Sequence, residues 1–167
     1  YLYDDSEVLL RTVVKYCPYL YSLHVFHVFL NVNALSVLNG SSVKYLHVSG
    51  WSPQAQTTLS NEHIGALSTV ETLVLSNLLY KAVTEEGIVA MARNSTALRA
   101  LHLSHVSSVT AAVGLAVVEA CPTLHTFTCT YHYQSLDENG KALLSMVRKL
   151  LKRSYPHVKL FQVGDFR

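Results

Sequence analysis

Charge is scarce in this chain. Only 14% of its 167 residues are Asp, Glu, Lys or Arg, and the formal net charge is +2. So neutral a balance argues against a molecule dominated by phosphate-backbone or membrane-surface electrostatics. Long apolar runs are missing as well. The longest, Ala111 to Val118, falls far short of the roughly 18 residues a membrane span needs and reads as a buried helix. There are only three cysteines, an odd number with no disulfide framework. Cys17, Cys121 and Cys129 are therefore expected to be buried free thiols in an intracellular, cytoplasmic setting. No glycine-rich phosphate loop is present. The first residue is Tyr1 rather than Met, and no basic-then-apolar leader follows it. The chain is thus expected to lack a signal peptide and to be a fragment of something longer. Two glycosylation triplets, Asn39-Gly40-Ser41 and Asn94-Ser95-Thr96, matter only if the chain is secreted.

What the chain does have is core and repetition. Half of its residues are hydrophobic, enough for one domain over 1–167 and too many for disorder. One phrase recurs: an apolar residue, two variable residues, an apolar residue, one variable residue, an apolar residue. It is written as Leu20, Leu23, Val25; Val43, Leu46, Val48; Val70, Leu73, Leu75; Leu98, Leu101, Leu103; and Leu124, Phe127, Cys129. A looser copy reads Val158, Phe161, Val163. The steps between first residues are 23, 27, 28, 26 and 34, the last with room for an insertion. A lone strand and helix cannot bury their apolar faces, whereas stacked copies share one continuous core.

Helices are expected between the strands. Asp5 or Ser6 opens one carrying Val8, Leu9, Val13 and Val14, and Thr84 is a good N-cap for Ile88, Val89, Met91 and Ala92. Ser107 or Ser108 opens a third. Ser135 or Asp137 opens the longest, with Leu143, Leu144, Val147, Leu150 and Leu151 at helical spacing. Ala34 to Leu38 and Asn61 to Leu67 have room for about two turns each.

The junctions carry a family likeness. Cys17-Pro18-Tyr19-Leu20 and Cys121-Pro122-Thr123-Leu124 resemble the cysteine-containing leucine-rich repeats of F-box-type proteins, and Tyr155-Pro156-His157-Val158 is a variant of the same junction. Thr84-Glu85-Glu86-Gly87-Ile88 looks like the helix start of ribonuclease-inhibitor-like repeats. The resemblance covers roughly Leu9 to Val163. It implies an α/β leucine-rich-repeat solenoid, a short horseshoe of about six repeats, with parallel strands on the concave face and helices on the convex face. The polar Asn or Cys that usually follows the strand is replaced by Val28, Trp51, Leu78, Val106 and His132. That predicts irregular turns.

Strand alternation predicts the concave face residue by residue. It should show Ser22, His24 and Phe26; Tyr45, His47 and Ser49; Thr72, Val74 and Ser76; Ala100, His102 and Ser104; Thr126, Thr128 and Thr130; then Leu160, Gln162 and Gly164. No carboxylate or lysine falls on these positions. The candidate binding residues are His24, Phe26, Tyr45, His47, Thr72, His102, Ser104 and Thr128, a neutral, hydroxyl-rich surface suited to a protein partner. His24, His47 and His102 hold the same place in their repeats. They read as polar filler, as a strip that charges near pH 6, or as a metal site short of ligands. Ser49, Ser76 and Ser104 lie near histidines, but no acid stands ready to orient a base. His125, Tyr131, His132 and Tyr133 read as a loop over the end of the stack. Lys141, Arg148, Lys149, Lys152 and Arg153 concentrate charge on the last helix, where cations complement the helix dipole.

The expected function is a non-catalytic protein-interaction module, a scaffold or adaptor without cofactor, metal or membrane. One alternative is the substrate-recognition part of an F-box ubiquitin ligase. Another is a component of a nucleic-acid-containing assembly that uses the basic helix. The last strand edge is expected to be covered by a partner or by further sequence.

Overall fold

The structure, a computed structural model, describes residues 6–26, 33–49, 59–78, 83–104, 106, 111–130, 145, 148–149 and 152–161. Among the described residues these elements follow one another in chain order: α1 (Ser6–Tyr16), β1 (Ser22–Phe26), a 3-10 helix (Leu35–Leu38), β2 (Tyr45–Ser49), α2 (Asn61–Gly65), β3 (Thr72–Ser76), α3 (Glu85–Asn94), β4 (Ala100–Ser104), α4 (Ala111–Ala120), β5 (Thr126–Thr130) and β6 (Lys159–Phe161). Residues 145, 148–149 and 152–154 are also helical. The protein is α/β, with a six-stranded, all-parallel sheet ordered β1-β2-β3-β4-β5-β6. Each strand lies beside its predecessor. Among the described strands the order never reverses, so they form no switch-point crevice of the kind that holds nucleotides in doubly wound folds.

The apolar phrase sets this register. Leu23, Leu46, Leu73, Leu101 and Phe127 align in one row, and Val25, Val48, Leu75, Leu103 and Cys129 in the next. These rows join Ile64, Ile88, Met91 and Val117 from the helices in a single hydrophobic cluster. The helices also pack in sequence, α2 on α3 and α3 on α4. Each repeat hangs from one backbone oxygen of the repeat before it. Tyr21 O accepts from Lys44 N and Tyr45 N, Lys44 O from Glu71 N and Thr72 N, Glu71 O from Arg99 N and Ala100 N, and Arg99 O from His125 N and Thr126 N.

Side chains tie the turns together as well. Asn39 donates to Ala66 O at 2.6 Å and accepts from Ser68 N at 3.1 Å. Ser95 Oγ donates to Leu67 O at 2.9 Å, and Thr123 Oγ1 to Leu98 O at 2.7 Å. In α3, Thr84 is the N-cap and accepts from Gly87 N at 3.3 Å. Asn61 holds that cap from the neighbouring repeat, donating to Thr84 Oγ1 at 3.0 Å and accepting from Thr84 N at 2.9 Å. Gly87 is required by this approach, because a Cβ there would lie 1.9 Å from Asn61 Oδ1.

Several expectations are corrected. The last strand is one residue out of phase: Leu160, not Phe161, pairs with Phe127, and Phe161 pairs with Thr128. The cause is a shortened junction. Val158 N closes its turn on Tyr155 O as Leu124 N does on Cys121 O, but then Lys159 N alone takes His125 O where the other repeats spend two residues. Cys17 is exposed, while Cys121 and Cys129 are buried. Leu23 is only half-buried. Both lie in the first repeat, where β1 has a sheet neighbour on one side only. The second interval forms a single 3-10 turn, Leu35–Leu38, and α2 stops at Gly65. The proposed starts of the later helices at Ser107, Ser108, Ser135 and Asp137 lie outside the described residues. So do Lys141, Leu143, Leu144, Val147, Leu150 and Leu151, together with Val28, Trp51, Tyr131, His132, Tyr133, Gln162 and Gly164.

Candidate protein-binding face

Parallel pairing turns the alternate residues of five strands into three rows. The first is Ser22, Tyr45, Thr72, Ala100 and Thr126, extended by Lys159 of β6. The second is His24, His47, Val74, His102 and Thr128. The third is Phe26, Ser49, Ser76, Ser104 and Thr130. All eight candidate residues lie in these rows, so the sheet does bring them together. His24 and Phe26 are exposed, and Tyr45, His47, Thr72, His102, Ser104 and Thr128 are half-buried. On β1 to β5 no position in the rows is a carboxylate, lysine or arginine. The expectation that lysine is absent fails at β6, where the slip of register puts exposed Lys159 in line with Thr126.

Aromatic rings gather where β1 meets β2. The His24 and His47 centroids are 5.3 Å apart, edge to face. Tyr45 stacks on His24 at 5.4 Å, and Phe26 lies 5.9 Å from His24 and 5.2 Å from His47. His47 Nε2 is 2.8 Å from Ser76 Oγ. Burial lowers the His47 pKa below its ordinary value, and the neighbouring His24 lowers it further. Burial also lowers that of His102. Both rings therefore favour the neutral form.

A serine hydroxyl against an imidazole is half of a nucleophile–base pair. Ser76, however, is buried at 9% exposure, and no carboxylate occupies a row position on β1 to β5. Among the described residues, no group of three or more His, Cys, Asp or Glu is placed to hold a metal ion, and no helix is long and apolar enough to cross a membrane. The basic residues Arg148, Lys149, Lys152 and Arg153 are helical and exposed.

Three polar residues escaped the reading of the sequence. Asn77 adopts a left-handed φ of 55°, which asparagine tolerates better than most residues. Its N–H bonds Ser104 O at 2.8 Å, and its side chain reaches Ser49 Oγ at 3.4 Å. The polar residue that ends β3 thus stands one position before Leu78, which is buried. Buried His63 accepts from Ser60 N at 3.1 Å and caps α2. Asn61 is the third. An asparagine just after a strand or inside a first helical turn is the signal that could have found two of them.

Compared with protein-family models and with curated proteins, the chain matches none.

Proposed function

We propose that the chain is a leucine-rich-repeat solenoid, a short horseshoe of about six repeats, whose open sheet face is a non-catalytic protein-binding surface. Its role would be that of a scaffold or adaptor inside the cell. One observation carries the reading: three aligned rows free of carboxylate, lysine and arginine across five strands, with an aromatic cluster at one end. Interfaces favour this composition, since aromatic side chains anchor partners and uncharged polar groups cost little to desolvate. The edge of β6 away from β5 is proposed to meet a partner or further sequence.

The test is capture of binding partners with the chain as bait. Tyr45→Ala and His102→Ala should weaken capture while leaving the melting temperature nearly unchanged. Normal capture by both, together with its loss in Lys149→Glu/Arg153→Glu, would move the site to the last helix. That outcome belongs to a second reading, nucleic-acid or acidic-partner binding, favoured by the four exposed basic residues there. A salt-sensitive RNA mobility shift would support it.

A further inference from the structure

The cluster at β1 and β2 extends this reading of the face, on which the present inference rests. Its two imidazoles are in register and 5.3 Å apart, Tyr45 stacks on His24, and Phe26 lies tilted or edgewise against both rings. On β1 to β5 no row position is a carboxylate, so a protonated ring of the pair meets no counter-ion within the rows. Lys44 stands just before β2, and Glu71, just before β3, lies 3.8 Å from Arg99. Charge complementarity therefore selects an anionic partner.

We propose that the His24–His47 pair is a proton-gated receptor for a side-chain carboxylate of an acidic polypeptide segment. At neutral pH burial keeps His47 uncharged, and the pair holds such a segment poorly. A proton on one ring repels a proton on the other. A carboxylate seated over both cancels that repulsion and draws protons onto the pair, so binding takes up protons and tightens as pH falls. Among the described residues, the groups facing the pair are Tyr45 from β2 and, from β3, uncharged Val74 and Ser76. His102 lies on β4, two strands from His47. The lowered pKa of His47 agrees with a ring that is neutral before the partner arrives.

The experiment is fluorescence anisotropy with fluorescein-labelled octaglutamate, with octalysine as control, at about pH 7.5 and about pH 5.5. Glutamate, with a pKa of about 4.3, stays largely ionised at both. Octaglutamate should bind the wild type about tenfold more tightly at the lower pH, and octalysine should not bind. His24→Gln/His47→Gln should abolish the pH dependence. His24→Gln alone, at an exposed ring, should reduce it. Equal affinity at the two pH values, binding of octalysine, or a pH dependence that survives in the double variant would overturn the proposal. Binding that ignores pH yet is lost in Tyr45→Ala would overturn the gate and leave the face reading standing. Binding lost only in Lys149→Ser/Arg153→Ser would overturn both.

Discussion

The middle of the stack and its first repeat are built from the same phrase, but they bury it differently. Around β3 and β4, Leu73, Leu75, Leu101 and Leu103 are at most 1% exposed. In the first repeat Leu20, Leu23 and Val14 are only partly covered, while Val8, Leu9, Tyr16, Tyr19, Tyr21 and Phe26 are exposed. The sequence pattern is equal in the two places, so the difference comes from neighbours. A repeat in a one-dimensional stack completes its core only when a repeat lies on each side.

The sharpest way to break this comparison is a pair of leucine truncations. Leu101→Ala should cost roughly 2–5 kcal/mol, as deletion of a closed core leucine does. Leu23→Ala, at the equivalent position on β1, should cost less, about 1–2 kcal/mol, because part of the side chain already meets water. Equal costs in denaturant melts would show that β1 is covered as well as β4. A smaller contrast lies between two glycines. Gly87→Ala pushes a methyl group into Asn61 and should cost about 1–3 kcal/mol by overpacking and by loosening the Thr84 cap. Gly65 has open space beside it, so Gly65→Ala should be neutral or stabilise by up to about 1 kcal/mol.

Acid should act on the face. His47 and His102 have folded pKa values below the ordinary 6.5, so the unfolded chain binds protons first as pH falls. Their contribution to stability is therefore complete above about pH 6.5 and is lost progressively below it, until the lowered folded values are passed. Thermal melts between about pH 7.5 and pH 5 should show the decline, and His47→Gln/His102→Gln should flatten it. The least costly test is thiol labelling. Cys17 should react with an alkylating reagent in the native protein, whereas Cys121 and Cys129 should wait for unfolding. Slow labelling of Cys17 would show that the first repeat is shielded in solution.

The strands, their phase and the shared row of His24, His47 and His102 were legible in the sequence. A strand has a period of two, and five copies of one phrase leave little freedom in register. Thr84 was legible because capping is local. The slip at Lys159 was not. It turns on whether one residue or two bond to a single carbonyl, which the apolar pattern does not record. Exposure of Cys17 depends on what stands beside the first repeat rather than on the junction it shares with Cys121. Asn39 and Asn61 find their partners one repeat away, at Ala66, Ser68 and Thr84, so the chain around them does not name the partner.

The paired amides on Tyr21 O, Lys44 O, Glu71 O and Arg99 O also bear on how such a chain can change length. Every attachment is made to the repeat immediately before, through the same backbone atoms, and no side chain is needed to form it. A duplication or deletion of one whole unit would present the next unit with an equivalent carbonyl. A gain or loss of a single residue at a junction would not, and would turn the following strand over. Genetic events that copy whole units should therefore be tolerated in this protein far better than small insertions just before a strand. The shortened step at Lys159 marks the place where that rule has already been broken once.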